Sequence, residues 1–109
     1  MADTFRVLAQ STPSAATLTD IYAVPSATSA VVSSIIVCNR GTTETSFRLS
    51  IAVAGASDTN KQYLYYDTPI AANDTFVATI GVSLGSADVI RAQAAAANLS
   101  FNVFGVEIT

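Results

Sequence analysis

Turn signals punctuate this chain so often that short strands fit between them and helices of ordinary length do not. They fall at Ser11-Thr12-Pro13-Ser14, Val24-Pro25-Ser26, Asn39-Arg40-Gly41, Ala54-Gly55-Ala56-Ser57-Asp58, Asp67-Thr68-Pro69, Ala72-Asn73-Asp74 and Leu84-Gly85-Ser86. The intervening runs are rich in Val, Ile, Phe, Tyr and Thr, whose side chains suit a pleated surface. Evenly spaced short strands of this kind predict an all-β sandwich or barrel. The one helix-favouring stretch, Ala92 to Ala97, is too short and too poorly capped to hold a helix. It predicts the end of a strand and a tight connection into Asn98.

Alternation assigns the faces. Ser46 to Val53 reads as a half-buried strand, with Phe47, Leu49, Ile51 and Val53 inward and Ser46, Arg48, Ser50 and Ala52 on a wet face. Asn73 to Val82 repeats the pattern with Phe76, Ala78, Ile80 and Val82 inward. Asn98 to Ile108 places Leu99, Phe101 and Val103 on one face, then Phe104, Val106 and Ile108 on the other. Such a switch predicts a bulge at Gly105, or a second half covered on both sides. Val31 to Cys38 is apolar on both faces, as in a central strand or one whose outer side meets a neighbour. Thr17 to Val24, Lys61 to Tyr66 and Asp88 to Gln93 add shorter strands. The expected fold is a single antiparallel β-sandwich, jelly-roll-like, of about eight strands. Asn39 to Thr43 predicts a hairpin turn with Gly41 at positive φ and Arg40 at its tip.

The N-terminal segment differs in character. Thr4 to Gln10 is strand-like, and Ser11 to Ala16 is a small-residue linker. Residues 1–16 are therefore read as an N-terminal arm or edge strand with its linker, and 17–109 as the sandwich. Phe5, Val7 and Leu8 are too apolar for a free solvated tail and should dock, on this domain or on a neighbour.

The chain of 109 residues is long enough for one core without staples. Its single cysteine, Cys38, excludes an internal disulfide framework and reads as a small buried hydrophobe. The net charge of −3, with Arg6, Arg40, Arg48, Lys61 and Arg91 scattered, argues against nucleic acid as a partner. No apolar run approaches the ~20 residues that cross a bilayer, and Met1 to Arg6 does not read as a signal peptide. Only 12 % of residues are charged while 50 % are hydrophobic, and the mean hydropathy is +0.45. Ser, Thr, Ala and exposed apolar groups must then build much of the surface, and contiguous apolar surface marks an interface with a partner or a second copy.

Catalytic chemistry has little to work with. There is no histidine to serve as a general base, and no Gly-x-Ser-x-Gly elbow. Asp58, Asp67, Asp74 and Asp88 sit in or beside turns, where Asp side chains cap local N–H groups. No Asp-x-Asp-x-Asp-Gly spacing suggests calcium. The expectation is a non-enzymatic protein with no catalytic, cofactor or metal site. Tyr63, Tyr65 and Tyr66 are the clearest surface candidates. Alternation puts Tyr63 and Tyr65 on one face and Leu64 and Tyr66 on the other, one pair in the core and one outside. Exposed tyrosines suit protein interfaces or stacking on sugars; a sandwich-edge tyrosine bonded to a carbonyl is equally open. The candidate interface residues are Phe5, Val7, Leu8, Arg40, Tyr63, Tyr65 and Tyr66.

Several stretches together resemble small structural proteins of tailed bacteriophages: Val31-Val32-Ser33-Ser34-Ile35-Ile36-Val37-Cys38-Asn39-Arg40-Gly41, Phe47-Arg48-Leu49, Tyr65-Tyr66-Asp67-Thr68-Pro69-Ile70, Asn73-Asp74-Thr75-Phe76, and Leu99 to Ile108. The resemblance runs from about Thr17 onward and carries no site residues with it. It implies a virion component made in the host bacterial cytoplasm. One role is a capsid decoration (cement) protein, a homo-oligomer and by preference a trimer, bridging major capsid protein subunits on the shell exterior. The alternative is a tail, baseplate or fibre-attachment component, or a glycan-binding adsorption module.

Overall fold

The β-branched and aromatic runs do become strands. The computed structural model describes residues 2–109. In chain order these form β1 (Asp3–Ser11), β2 (Thr19–Ala23), β3 (Ser29–Asn39), β4 (Thr45–Ala52), β5 (Tyr63–Ile70), β6 (Thr75–Ala78), β7 (Val82–Leu84), β8 (Val89–Ala94) and β9 (Leu99–Ile108). Two single 3-10 turns, Val53–Gly55 and Asn60–Gln62, lie between β4 and β5. One sheet runs β1-β9-β3-β6, with β7 also paired to β3; the other runs β2-β8-β4-β5. Every strand pair is antiparallel. Counting β6 and β7 as one interrupted edge strand gives eight strands, and the two interleaved orders are those of a jelly roll. The expected fold class is what the chain adopts.

The core lies between the sheets. Val32, Ile35 and Val37 of β3 and Leu99, Phe101 and Val103 of β9 face Phe47 and Leu49 of β4 and Ile90, Ala92 and Ala94 of β8. Phe47 is its hub, with ring centroids 5.2 Å from Phe76, 6.1 Å from Tyr65 and 6.1 Å from Phe101. One buried polar side chain organises the crossing at one end. The Asn39 amide donates to the carbonyls of Thr43, Ile70 and Ala71 and accepts from the Gly41 N–H at 2.9 Å. Four backbone groups at this end of the sandwich thus share one buried amide, the Ala71 carbonyl also accepting from the Asp74 N–H.

The structure changes several local readings. Phe47, Leu49 and Ile51 do point inward, but Val53 leaves the strand into the 3-10 turn and is exposed. The outer face of β4 is not uniformly wet: Ser50 and Ala52 are fully buried because the 53–59 loop folds over them. Arg91 holds that loop, donating to the Gly55 and Ala56 carbonyls and to Asp58, whose other oxygen accepts from the Ser50 hydroxyl at 2.7 Å. The expected strand Asn73 to Val82 is split at Thr79–Gly81 into β6 and β7, although Phe76, Ala78, Ile80 and Val82 keep their inward side. Asn39 to Thr43 is no hairpin turn. It joins β3 in one sheet to β4 in the other, and Gly41 has no positive φ. A Cβ at Gly41 would lie 2.2 Å from the end of the Asn98 side chain, so a larger residue there requires Asn98 to turn aside.

The bulge expected in β9 at Gly105 is not there: β9 alternates without interruption. The extra residues lie in its neighbours, Leu8 in β1 between the Phe104 and Val103 pairs and Ser33 in β3 between the Gly105 and Phe104 pairs. Of the two placements open to the N-terminal segment, the structure has the edge strand. Asp3–Ser11 pairs along β9, Leu8 and Ala9 pack on the core, and the 12–18 linker crosses to the second sheet, where Ala15 bridges Ala94. Cys38 is half-buried on the outer face, because Asn39 takes the inward position beside it.

A side-chain chain ties β1, β9 and β2 together. The Tyr22 hydroxyl donates to Glu107 at 2.6 Å, and Arg6 bridges the other Glu107 oxygen at 2.9 Å. Burial, then the Glu107 carboxylate, push the Tyr22 phenol well above its ordinary 10.0. The native state thus keeps this proton at pH values where the unfolded chain releases it, so stability falls as pH rises beyond the unfolded value. The melting temperature is expected to drop with pH above 10.0, and less steeply in Tyr22→Phe. Parallel alkaline limbs in the two proteins would remove Tyr22 from the account.

Candidate functional site

Directly paired residues share a face of an antiparallel ladder, so the register of the five-stranded sheet defines its outer surface. Phe5 pairs with Val106 and Val7 with Phe104; Val106 continues to Val31, and Asn102 through Ile36 to Val77. Asp3, Ile108 and Ser29 form the row at one end, and Ser100, Cys38 and Thr75 the row at the other. Phe5 is 82 % exposed, Val77 54 %, Val7 47 % and Val31 36 %, with Ile36, Phe104 and Val106 half-buried among them. Among the described residues the result is an apolar strip over β1, β9 and the start of β3, separated by Gln10, Asn102 and Ser34 from the Ile36–Val77 pair, with charge only at the extremities of the face, Asp3 at one end and Arg40 at the other. The other sheet is different outside: Arg48, Arg91, Asp20 and Asp67 form ion pairs there.

The N-terminal candidates therefore separate. Phe5 and Val7 belong to the outer strip, while Leu8 turns inward through the β1 bulge and packs on the core. Val31, Ile36, Val77, Phe104 and Val106 join them and are absent from the candidate residues read from sequence. Their signal is present all the same, in the two-faced apolar character of Val31 to Cys38 and the outward set Phe104, Val106, Ile108. Arg40 is exposed yet engaged within the chain, donating to the Ser100 hydroxyl at 2.8 Å and the Ala97 carbonyl at 3.2 Å.

The tyrosines meet in an arrangement that alternation does not give. β5 carries an extra residue between the Ser50↔Tyr63 and Leu49↔Tyr65 pairs, and another between the Leu49↔Tyr65 and Phe47↔Thr68 pairs. These two bulges reassign the faces, so Tyr63 and Tyr65 do not form a pair. Tyr65 goes to the core against Phe47 and Phe76, the latter at 5.2 Å edge-to-face. Tyr63 and Tyr66 come together outside, centroids 4.9 Å apart and planes at 82°. Asp67, at φ 51°, is the residue that turns the strand. Arg48 lies 4.0 Å over the Tyr66 ring and is gripped by both Asp67 oxygens at 2.7 and 3.2 Å. That contact holds the Asp67 carboxyl below its ordinary range. With Asn60, whose 3-10 turn is closed by a reciprocal Thr59–Gln62 capping box, the two rings line an open cleft of about 410 Å³.

The four aspartates in or beside turns divide between two jobs. Asp74 caps the Thr75 N–H, and Asp88 caps those of Ala54 and Gly85, as turn chemistry predicts. Asp58 and Asp67 instead pair with Arg91 and Arg48. Among the described residues no group of three or more His, Cys, Asp or Glu side chains converges as a metal site would. What the molecule offers is two surfaces on opposite sheets, an apolar strip and an aromatic corner, joined by a rigid core. No protein-family model matches the chain, and no curated protein matches it either.

Proposed function

We propose that this chain is a virion structural protein, a capsid decoration protein that binds the outside of the major capsid shell and bridges its subunits. The single observation that carries the reading is the apolar strip on the β1-β9-β3-β6 sheet. A strip with charge only at its two ends calls for a partner surface that is itself charge-poor, since burying an unpaired charge against it is costly. Its size suits the task. The ten residues of β9 at about 3.3 Å each, across four strands at about 4.8 Å, give the whole outer face, its polar rows included, an upper bound of roughly 600 Å². That is the scale of one side of an ordinary protein interface, about 800 Å². A contact of this size is modest alone, and copies linked as a trimer gain from simultaneous engagement. The resemblance to phage structural proteins points the same way, because its longest stretches, Val31 to Gly41 and Leu99 to Ile108, include β9 and most of β3, which form the middle of the strip. Jelly rolls are also a recurrent architecture of capsid and lectin domains, a likeness of fold that leaves the task to the surface.

The test is co-sedimentation with empty capsid shells of the phage that encodes the chain. The wild-type protein is expected to pellet with shells, and the double variant Phe5→Ser/Val77→Ser to stay in the supernatant with its melting temperature within a few degrees of wild type. Wild-type protein that remains in the supernatant, or a double variant that still pellets, would end this reading.

A further inference from the structure

We propose that the cleft lined by Asn60, Tyr63 and Tyr66 binds carbohydrate, as a neutral pyranose unit. This inference is independent of the shell-docking reading: it concerns the opposite sheet and needs no other virion protein. A pyranose ring is amphipathic in a particular way, with a flat patch of C–H groups on one side and hydroxyls around its edge. The cleft has complementary parts. Tyr63 and Tyr66 stand at 82° with centroids 4.9 Å apart, so one ring can act as floor and the other as wall. Asn60 lines the same space, and its amide carries donors and an acceptor, which a hydroxyl pair can use together. The volume of about 410 Å³ is near the lower end of small-molecule sites, roughly 300–1,000 Å³, and fits one or two sugar units better than a long chain.

The corner is also built in advance. Tyr66 is 55 % exposed, a state in which a tyrosine ordinarily samples several rotamers. Here Arg48 covers one of its faces and is itself fixed by two bonds to Asp67, so the ring is braced from behind. Asp67 turns the strand at a left-handed φ of 51°, a conformation that an Asp tolerates better than most residues. The turn sends Tyr65 to the core and leaves Tyr66 outside, beside Tyr63. A surface aromatic held in place loses less freedom on binding, which matters most for weak ligands. The charge pattern selects the class. Arg48 and Asp67 neutralise each other and the lining residues Asn60, Tyr63 and Tyr66 are uncharged, so the lining itself favours a neutral sugar; Lys61, the next residue after Asn60 in the 3-10 turn, is the nearby cation and is not part of that lining.

The experiment is a titration of the isotope-labelled full chain with the methyl glycosides of glucose, galactose, mannose and N-acetylglucosamine, read by amide chemical shifts. At least one glycoside is expected to move Asn60 through Asp67 selectively. Tyr66→Ala should weaken that glycoside about tenfold or more, and Tyr66→Phe should retain it, because the ring face does the binding. Asn60→Ala, remote from the core, gives a second weakened variant that folds normally. Three results would overturn the proposal: no glycoside shifting these residues, shifts that persist unchanged in Tyr66→Ala, or a proline-rich peptide shifting them where no glycoside does. Shell co-sedimentation of Tyr66→Ala should equal wild type, which keeps this site's failure separate from failure of the docking strip.

Discussion

Phe47→Ala and Phe101→Ala should each cost about 3–5 kcal/mol, read as the shift in the urea midpoint at constant slope. Both side chains are 1 % exposed or less, and their rings meet edge-on at 6.1 Å across the sandwich, Phe47 from β4 in one sheet and Phe101 from β9 in the other. Truncating either opens a void that backbone ladders on both sides cannot close, because each strand is pinned by two partners. Phe47 has the wider consequences, since Phe76 and Tyr65 also lean on it. A domain of this size holds only about 5–15 kcal/mol in all, so either variant stands near the edge of unfolding. Phe101→Leu keeps most of the volume and should cost about 1.5 kcal/mol or less. The two Phe→Ala variants should not be additive, because the second removes a contact already lost. An unchanged midpoint in either single variant would mean that the ring lies outside the core.

How much of this was legible in the sequence depends on what each residue answers to. Inward faces in the middle of strands follow from period-two alternation, and there Phe47, Leu49, Phe101, Val103, Ile35 and Val37 all lie in the core. Strand ends were less visible, because Ala16, Ala27, Ala54 and Ala87 adopt left-handed φ of 53–69° without the Gly or Asn that signals such a turn. The aromatic corner was hidden for a sharper reason. Two inserted residues in β5 break the very periodicity used to assign Tyr63, Tyr65 and Tyr66, and nothing in Leu64-Tyr65-Tyr66-Asp67 marks a bulge. The partners Arg48 and Asp67 are 19 residues apart and meet only through that altered register. Burial of Ser50 and Ala52 under the 53–59 loop was equally out of reach, since it depends on Arg91 arriving from β8. The apolar strip was half-visible. Two-sided apolar runs announced that β3 and β9 had something to cover outside, but only the order β1-β9-β3-β6 sets Phe5, Val106 and Val31 in one row.

Gly105→Ala is the smallest substitution expected to have a large effect, about 3 kcal/mol, because it inserts atoms where no void exists. A Cβ at Gly105 would lie 2.2 Å from the Val31 carbonyl oxygen, 3.0 Å from the Val32 Cα and 3.1 Å from a Leu8 methyl carbon. Leu8 could rotate away, whereas the two β3 atoms are backbone in the centre of the sheet and move only if the ladder does. The requirement is one of space, since Gly105 has no positive φ, and it explains why the bulges sit where they do. The extra residues Leu8 and Ser33 lie on either side of Phe104, next to Gly105, and a residue without a side chain at Gly105 leaves room for Val31, Val32 and Leu8 to close over it. Gly81 supplies the control. It lies in the break between β6 and β7 with nothing within 4 Å of its would-be Cβ, so Gly81→Ala should change stability by no more than about 0.5 kcal/mol. Loss in Gly105→Ala should therefore appear as early amide exchange in β1 and in the Ser29–Val32 half of β3, the segments forced off β9, before the rest of the sandwich opens. Equal midpoints for the two alanine variants would show that the three strands do not approach one another at Gly105 as closely as described.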